Sequence, residues 1–262
     1  MKLITSIVGV LSLALCILPS RAQIIDNFST NDSGNYHAYN AYQAGAASPA
    51  TFAINGSGQL QPTGGAGDTT IYLRNTGQEL SDSTFGQSAS LDLVTMGDTG
   101  SQNVADALGF STTLTPTSGT NVSFSPQSFE LGIVRSGGAY HLASSNTSIA
   151  NGTVALPEIN FTLGSVTETV TRVSNTGFSY AFNGAGVVGG PVTGSFSISF
   201  AAGNAVYFGP EVFGGNAAGD QIEDNLGYNA NAVREPSTYA MILAGLALLG
   251  VLSRRKGSLS NN

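Results

Sequence analysis

The fold is indicated most directly by the stretch Ser195-Phe196-Ser197-Ile198-Ser199-Phe200, in which every second residue is large and apolar. Alternation with a period of two places the apolar side chains on one face of a β-strand and the serines on the other. Residues 178–182 and 129–133 repeat the pattern. The sequence therefore predicts strands that each bury one face.

Turn signals separate these runs. Asn175-Thr176-Gly177 lies between the apolar runs 166–173 and 178–182, which predicts a hairpin. About a dozen short strands follow one another in this way, without an internal repeat. Before Tyr239 the nearest approach to a helical period is the short stretch 101–108. We therefore expect an all-β fold, a sandwich of two antiparallel sheets packed face to face.

The body of the chain, residues 23–232, has the length of one large β domain. It contains three Arg and no Lys against fifteen Asp and Glu, which gives a formal net charge of −12. The value for the whole chain is only −7, because most basic residues lie in the two terminal segments. This acidity makes nucleic acid and anionic lipid poor electrostatic partners.

The N-terminal segment has the layout of a secretory signal peptide. Lys2 precedes the apolar run 3–18, and small residues stand before the bond between Ala22 and Gln23. We predict a signal peptide over residues 1–22, with cleavage at that bond. Cys16 is the one cysteine of the chain, so the processed protein has no disulfide, no thiol nucleophile and no cysteine metal ligand.

The C-terminal segment, residues 233–262, contains an uncharged run from Tyr239 to Leu252. As a helix, its fourteen residues would span about 21 Å, a short membrane crossing. We predict a transmembrane helix over about residues 238–253. The cations that follow, at 254–256, favour a cytoplasmic end for this helix.

The end of the chain resembles the PEP-CTERM sorting signals of bacterial exosortase substrates. The resemblance is carried by Glu235-Pro236, by the short apolar span, and by the cluster Arg254, Arg255 and Lys256. Arg234 stands where the family has its first proline. The resemblance implies recognition by an exosortase-type peptidase in the inner membrane, cleavage near the Glu-Pro pair, and delivery of the body to the cell surface or beyond.

A second resemblance concerns the body. Short stretches at 25–28, 128–135 and 206–209, the last followed by Asp224-Asn225-Leu226, resemble jelly-roll domains of the concanavalin and laminin-G type. This resemblance implies binding of sugar or matrix. A fold does not by itself determine a function, so the ligand stays open.

Acidic residues near both ends of the body predict a calcium site. Asp220, Glu223 and Asp224 form the densest acidic cluster, and Asp26 lies in the first strand. The first and last strands of a sandwich are often neighbours, so Asp26, Glu223 and Asp224 are the candidate ligands of a structural calcium ion. The alternative is that these acids are solvated in loops. We expect no other cofactor.

A sugar-binding surface is predicted at Tyr36, Tyr39 and Tyr42, which recur every third residue in a polar stretch. Their rings could stack on a sugar, or could be partly buried in a loop. The chain has no Trp, the residue that offers the largest stacking face.

Catalytic patterns are missing from the sequence. Glu130, Glu158, Glu168 and Glu211 each stand alone, whereas glycoside hydrolysis needs two facing carboxylates. No Gly-x-Ser-x-Gly elbow accompanies the two histidines. The sequence thus predicts an exported, non-enzymatic bacterial cell-surface or extracellular-matrix protein, in contact with extracellular polysaccharide. The alternatives are a lectin-like carbohydrate-binding module and a polysaccharide-active hydrolase or lyase.

Overall fold

The computed structural model describes residues 23–42, 50–61, 69–75, 78–81, 83–96, 104–115, 127–136, 138–201, 205–213 and 221–230. These residues form thirteen β-strands and a single turn of 3-10 helix, Ser33–Asn35. The strands are β1 (Gln23–Asp26), β2 (Tyr36–Tyr42), β3 (Thr69–Arg74), β4 (Leu80–Ser81), β5 (Ser88–Met96), β6 (Val104–Ser111), β7 (Ser128–Ser136), β8 (Ala139–Ser145), β9 (Val166–Arg172), β10 (Gly177–Asn183), β11 (Val192–Ser197), β12 (Ala205–Phe213) and β13 (Gln221–Asn229).

The strands form two antiparallel sheets. The six-stranded sheet has the order β1-β13-β5-β9-β10-β11, and the seven-stranded sheet has the order β2-β3-β12-β6-β7-β8, with β4 paired to β12. The expected all-β fold of two antiparallel sheets is confirmed.

The alternating stretches of the sequence line the core between the sheets. In β10, Phe178, Tyr180 and Phe182 are buried while the residues between them are half-buried. Phe129 of the seven-stranded sheet stacks on Phe110 with ring centroids 4.7 Å apart and also meets Phe178 of the opposite sheet at 5.1 Å. Large buried apolar area of this kind is the main term that stabilises a sandwich without disulfides.

Two buried polar side chains connect the sheets. The main-chain N–H of Leu108 donates to Oε2 of Glu168 at 3.2 Å, across the core. Nη1 of Arg172 donates to the carbonyl oxygen of Leu80 at 2.6 Å. Both side chains are fully buried, so these hydrogen bonds form in a medium where they are stronger than in water.

Strand β11 ends earlier than its alternation indicates. Pairing with β10 stops at Ser197, and Ile198 instead forms an isolated bridge with Thr147. Ile198 is nevertheless buried. Its main-chain N–H donates to the carbonyl oxygen of Thr176, just before β10, at 2.9 Å, so the chain stays beside β10 and keeps facing the core. The alternation therefore reported the buried face correctly and the end of the strand incorrectly.

The stretch with the nearest helical period belongs to a central strand. β6 pairs with β7 over residues 104–111 on one side and with β12 over residues 106–111 on the other. Hydrogen bonds on both edges outweigh a weak local preference, which explains why residues 104–108 are extended.

The first and last strands are neighbours, as the sequence argument assumed. β1 pairs with β13 at the edge of the six-stranded sheet, with Gln23 opposite Tyr228. The domain bounds 23 and 232 stay a prediction. Within the described ranges, no helix is long and apolar enough to cross a membrane. The predicted signal peptide and the predicted span 238–253 lie outside those ranges.

Candidate functional site

The outer face of the seven-stranded sheet gathers polar groups that are far apart in the sequence. Glu211 of β12 lies opposite Ile71, which lies opposite Tyr39. Glu130 of β7 lies opposite Gly109 of β6, the strand between β7 and β12. Residues next to these in sequence, such as Phe129, face the core, so the two glutamates point away from it. We call Tyr39, Ser128, Glu130 and Glu211 the outer-face cluster.

The outer-face cluster is shielded from solvent. Tyr39 is 8% exposed, Glu130 4% and Glu211 2%. Burial raises the pKa of the Tyr39 hydroxyl far above its ordinary value; Ser128 lowers that pKa, and the charges of Glu211 and Glu130 raise it further. Both carboxylates therefore act electrostatically on one phenol. A buried, interacting set of this kind is a candidate site on physical grounds.

The Tyr39 hydroxyl has unused hydrogen-bonding capacity. It is buried and has no partner at ideal hydrogen-bonding geometry, although a looser side-chain hydrogen bond with Ser128 lowers its pKa. Oε1 of Glu130, by contrast, accepts a hydrogen bond from Oγ of Ser145 at 2.8 Å. A buried hydroxyl without a partner costs about 1–3 kcal/mol, and a ligand oxygen could supply that partner.

An apolar patch borders the outer-face cluster. Ile71 and Leu73 are fully buried beside Tyr39, and Leu114 and Tyr207 pack against them. Ile71 fits because β6 has a glycine below it: a Cβ added to Gly109 would lie 2.6 Å from Cγ1 of Ile71. Polar groups next to apolar side chains are the usual lining of sites for small ligands.

The predicted tyrosine surface is not formed by Tyr36 and Tyr39, because they lie on opposite faces of β2. Tyr36 belongs to the main core, and Tyr39 to the outer face. A separation of three residues puts side chains on opposite sides of a strand. Both residues lie in a strand rather than in a loop. The side chain of Tyr42 lies outside the described residues.

Asp26 is part of a buried ion pair. Its Oδ2 lies 3.1 Å from Nη1 of Arg74 and accepts a hydrogen bond from the Tyr36 hydroxyl at 2.7 Å. Its Oδ1 accepts from the main-chain N–H of Phe28 at 2.8 Å. We call Asp26, Tyr36 and Arg74 the inter-sheet cluster, because β1 belongs to one sheet and β2 and β3 to the other.

The other two candidate calcium ligands lie apart from Asp26 in the register. Leu226, not Asp224, is the partner of Asp26 across β1 and β13. Glu223 is fully buried, while Asp224 is half-buried opposite Asp92. Burial raises the pKa of Asp224; hydrogen bonds from the Asn225 N–H and from Gln59 lower it, and the charge of Asp92 raises it. Across the described ranges, no three His, Cys, Asp or Glu residues are placed to hold a metal ion. The calcium site stays a prediction.

The predicted processing residues surround the described domain. Gln23 opens β1, and Ala22 precedes the first described residue. The predicted sorting residues Arg234, Glu235, Pro236, Arg254, Arg255 and Lys256 lie outside the described ranges.

Sequence reasoning missed that Glu130 and Glu211 both act on Tyr39. Each stands at an outward position of an alternating run, between Phe129 and Leu131 in one case and two residues after Gly209 in the other. That alternation shows that both side chains leave the core. It does not show that β6 lies between their two strands.

Comparison with known proteins identifies the C-terminal segment and yields distant structural neighbours. Lectin I-B4 from Griffonia simplicifolia aligns with a TM-score of 0.44 and 13% identity, over 80% of this chain and 98% of the lectin. Lectin II from Ulex europaeus aligns with a TM-score of 0.48 and 12% identity, over 78% of this chain and 95% of the lectin. No curated protein matches the chain in sequence. Residues 235–256 match the PEP-CTERM protein-sorting motif, so the predicted sorting signal is confirmed.

Proposed function

We propose that this protein is an exported bacterial cell-surface or extracellular-matrix protein, whose β-sandwich is a non-enzymatic module delivered by its C-terminal sorting signal. The observation that supports this proposal is the PEP-CTERM motif at 235–256, which follows a domain whose last strand ends at Asn229. The motif itself implies export and, in general, processing by an exosortase. The membrane-held precursor and the final location are parts of the proposal.

The composition of the body supports an extracellular structural role. It has a formal net charge of −12 and no Lys, and the exposed positions of β11 are Thr193, Ser195 and Ser197. Such a surface stays hydrated and does not bind nucleic acid. Residues 23–232 have a continuous apolar core and no cysteine, so the stability of the sandwich does not depend on disulfides.

Mass spectrometry of the mature C-terminus tests the proposal. The full chain is produced in cells with and without the sorting peptidase, alongside a variant with Glu235→Gln and Pro236→Ala. We expect the wild-type chain to lose its C-terminal segment near residue 235 only when the peptidase is present, and the variant to retain it. An intact C-terminus and the same cell fraction in all samples would contradict the proposal.

A second candidate function is binding of carbohydrate by the outer-face cluster. The unpartnered Tyr39 hydroxyl supports it, since this hydroxyl lies within the electrostatic reach of two carboxylates. Carboxylates accept hydrogen bonds from sugar hydroxyls, and the phenol can donate or accept. Tyr207, which is only half-buried, offers a ring at the border of the same patch.

A glycan array separates these functions. The full chain is compared with Glu130→Gln and Glu211→Gln, and with Glu158→Gln as a control at an exposed position. Carbohydrate binding predicts retention that falls at least about tenfold in the first two variants, as expected when one charged hydrogen bond is lost, and not in the control. No retention by any form contradicts the second candidate. Release of reducing ends that depends on Glu130 or Glu211 would instead support the hydrolase alternative.

A further inference from the structure

One end of the six-stranded sheet carries exposed apolar side chains beside the point where the chain leaves the domain. At this end β13 finishes at Asn229, which lies opposite Ser88 at the start of β5. Ser88 in turn lies opposite Thr171 near the end of β9, and Gln23 at the start of β1 lies opposite Tyr228. We call this end of the six-stranded sheet, with the adjoining loops 83–87 and 173–176, the tether end.

Three of the exposed large apolar residues lie at the tether end. Val173 directly follows β9 and is 50% exposed, and Phe85 precedes β5 and is 42% exposed. The main-chain N–H of Gly86 donates to the carbonyl oxygen of Arg172 at 2.8 Å, which fixes the Phe85 loop next to Val173. Ile24 of β1, opposite Gly227, is 56% exposed. Neighbouring strands are about 4.8 Å apart, so these side chains lie within about 15 Å of Asn229.

The tether end is poor in charge, although the body as a whole is strongly acidic. Loops 83–87 and 173–176 contain no charged residue, and Asp82 directly precedes the first of them in the sequence. The guanidinium of Arg172 is buried and donates to Leu80 and Asn175 instead of reaching solvent. The main-chain carbonyl oxygen of Glu79 accepts a hydrogen bond from the Tyr228 hydroxyl at 3.1 Å, so one acidic residue borders this end. The surface therefore suits apolar contact rather than electrostatic attraction.

The length of the connecting chain limits how far this end can move from the membrane. Five residues separate Asn229 from Glu235, where the sorting motif begins. Fully extended, this connection reaches about 20 Å at most. The headgroup layer on one side of a bilayer is itself roughly 5–8 Å thick. A precursor held by the sorting motif thus keeps the tether end close to the lipid surface.

We propose that Phe85, Val173 and Ile24 contact the outer surface of the inner membrane while the precursor is held there. This inference rests on the proposed function, which supplies the membrane tether. Aromatic and aliphatic side chains favour the layer between headgroups and acyl chains, and exposed clusters of them mark binding surfaces. Three side chains give little affinity alone, so the short tether provides the high local concentration that the contact needs. Cleavage of the tether then frees the domain.

The chain contains no Trp, so a single introduced Trp reports the position of one site. The chain from Gln23 to Asn262, which lacks the predicted signal peptide, is reconstituted in vesicles of phosphatidylethanolamine and phosphatidylglycerol, with and without brominated acyl chains that quench Trp. Phe85→Trp is compared with Leu163→Trp, a control that is 59% exposed and lies just before β9, at the opposite end of the sheet. Val173→Trp is the second reporter at the tether end.

We expect brominated lipid to reduce the fluorescence of Phe85→Trp and Val173→Trp at least about twofold, as for an interfacial aromatic, and to leave Leu163→Trp nearly unchanged. Equal quenching at both ends, or quenching at neither, overturns the inference. Flotation of the same vesicles shows whether the chain is held on the membrane at all, independently of whether Phe85 and Val173 contact lipid. A chain that does not float with the vesicles overturns the membrane-held precursor, whereas one that floats without selective quenching overturns only the contact of Phe85 and Val173 with lipid.

Discussion

Tyr36 and Tyr39 lie on the same strand and are equally buried, yet they face two different polar environments. In the inter-sheet cluster the Tyr36 hydroxyl donates to Asp26 at 2.7 Å and accepts from Nη1 of Arg74 at 3.0 Å. In the outer-face cluster the Tyr39 hydroxyl has no partner at hydrogen-bonding geometry. The first arrangement completes its own hydrogen bonds and so holds the two sheets together. The second leaves the Tyr39 hydroxyl able to form a hydrogen bond with a bound molecule.

Asp26 of the inter-sheet cluster and Glu130 of the outer-face cluster also have different partners. Arg74 neutralises Asp26 and lies over the Tyr36 ring at 5.5 Å from its centroid. In the outer-face cluster the described contact of Glu130 is with the neutral hydroxyl of Ser145. The inter-sheet cluster should therefore dominate stability, and the outer-face cluster should matter more for binding.

Removal of the cation from the inter-sheet cluster should have the largest effect. Arg74→Met leaves the Asp26 carboxylate buried without its ion-pair partner, and the side chains are only 10% and 3% exposed. Loss of one member of such a pair lowers the free energy of unfolding by about 3–5 kcal/mol. Urea denaturation at pH 7 measures this change.

The double variant Asp26→Asn with Arg74→Met is the control for that prediction. It removes both charges, so its loss should be smaller than the sum of the two single losses. Additive losses would show that the pair contributes nothing beyond its separate contacts.

Removal of each hydroxyl compares the two tyrosines directly. Tyr36→Phe deletes a hydroxyl that contacts Asp26 and Arg74, and we expect a loss of about 1–3 kcal/mol. Tyr39→Phe deletes a buried hydroxyl without a partner, so we expect no loss, or a gain of up to about 1 kcal/mol. Urea denaturation of both variants under identical conditions gives the difference, and the reverse order would contradict the contrast between the clusters.

The strands could be predicted from the sequence because their signal is local. Phe178, Tyr180 and Phe182 each report their own buried face, and the turn at 173–177 joins two adjacent strands. The end of β11 at Ser197 could not be predicted, because Ile198 remains buried beyond the paired residues, where it also bridges Thr147. Alternation in the sequence indicates which side chains are buried, but not which strands are hydrogen-bonded to each other.

The candidate site depends on the order of strands, which alternation does not contain. Glu130 and Glu211 come together only because β6 lies between β7 and β12. The spacing of Tyr36 and Tyr39 would have placed them on one surface in a helix, but in a strand it separates them. Arg74 ends a strand that is otherwise uncharged. This position could have indicated a buried ion pair, but not that Asp26 is the partner.

Alkaline pH gives a third way to compare the clusters. Burial is the main reason that the pKa of Tyr36 and that of Tyr39 both lie above the ordinary value of 10.0. The folded chain holds these protons more tightly than the unfolded chain, so the stability they contribute is present below pH 10 and is lost as the pH rises further. Each such tyrosine can lower the free energy of unfolding by up to about 1.4 kcal/mol per pH unit. Tyr39→Phe should show a correspondingly shallower decline between pH 10 and 11, and an unchanged slope would contradict this.

The smallest expected effect lies outside both clusters, at Asp224. Burial is the main reason that its pKa lies above the ordinary value of 3.8. The charge of Asp92 raises this pKa further, and hydrogen bonds from the Asn225 N–H and from Gln59 lower it. The folded chain therefore binds this proton more tightly, and ionisation as the pH rises through the folded value disfavours folding. Asp224→Asn should raise the free energy of unfolding at pH 7 by less than about 1 kcal/mol, since the group is partly solvated, and this gain should vanish near pH 3.

Asp92→Asn provides the control for Asp224, because it removes the opposing charge while its side-chain oxygen can still accept from Thr167. It also removes the oxygen that accepts from Nδ2 of Asn225, so the gain is measured relative to the Asp92→Asn single variant. In that background the gain from Asp224→Asn should shrink, since one cause of the raised pKa has gone. An undiminished gain would mean that burial alone sets the pKa of Asp224. The same measurement bears on the calcium prediction: a cation bound between these acids would lower their pKa, so that Asp224→Asn would then destabilise the protein in calcium and stabilise it in chelator.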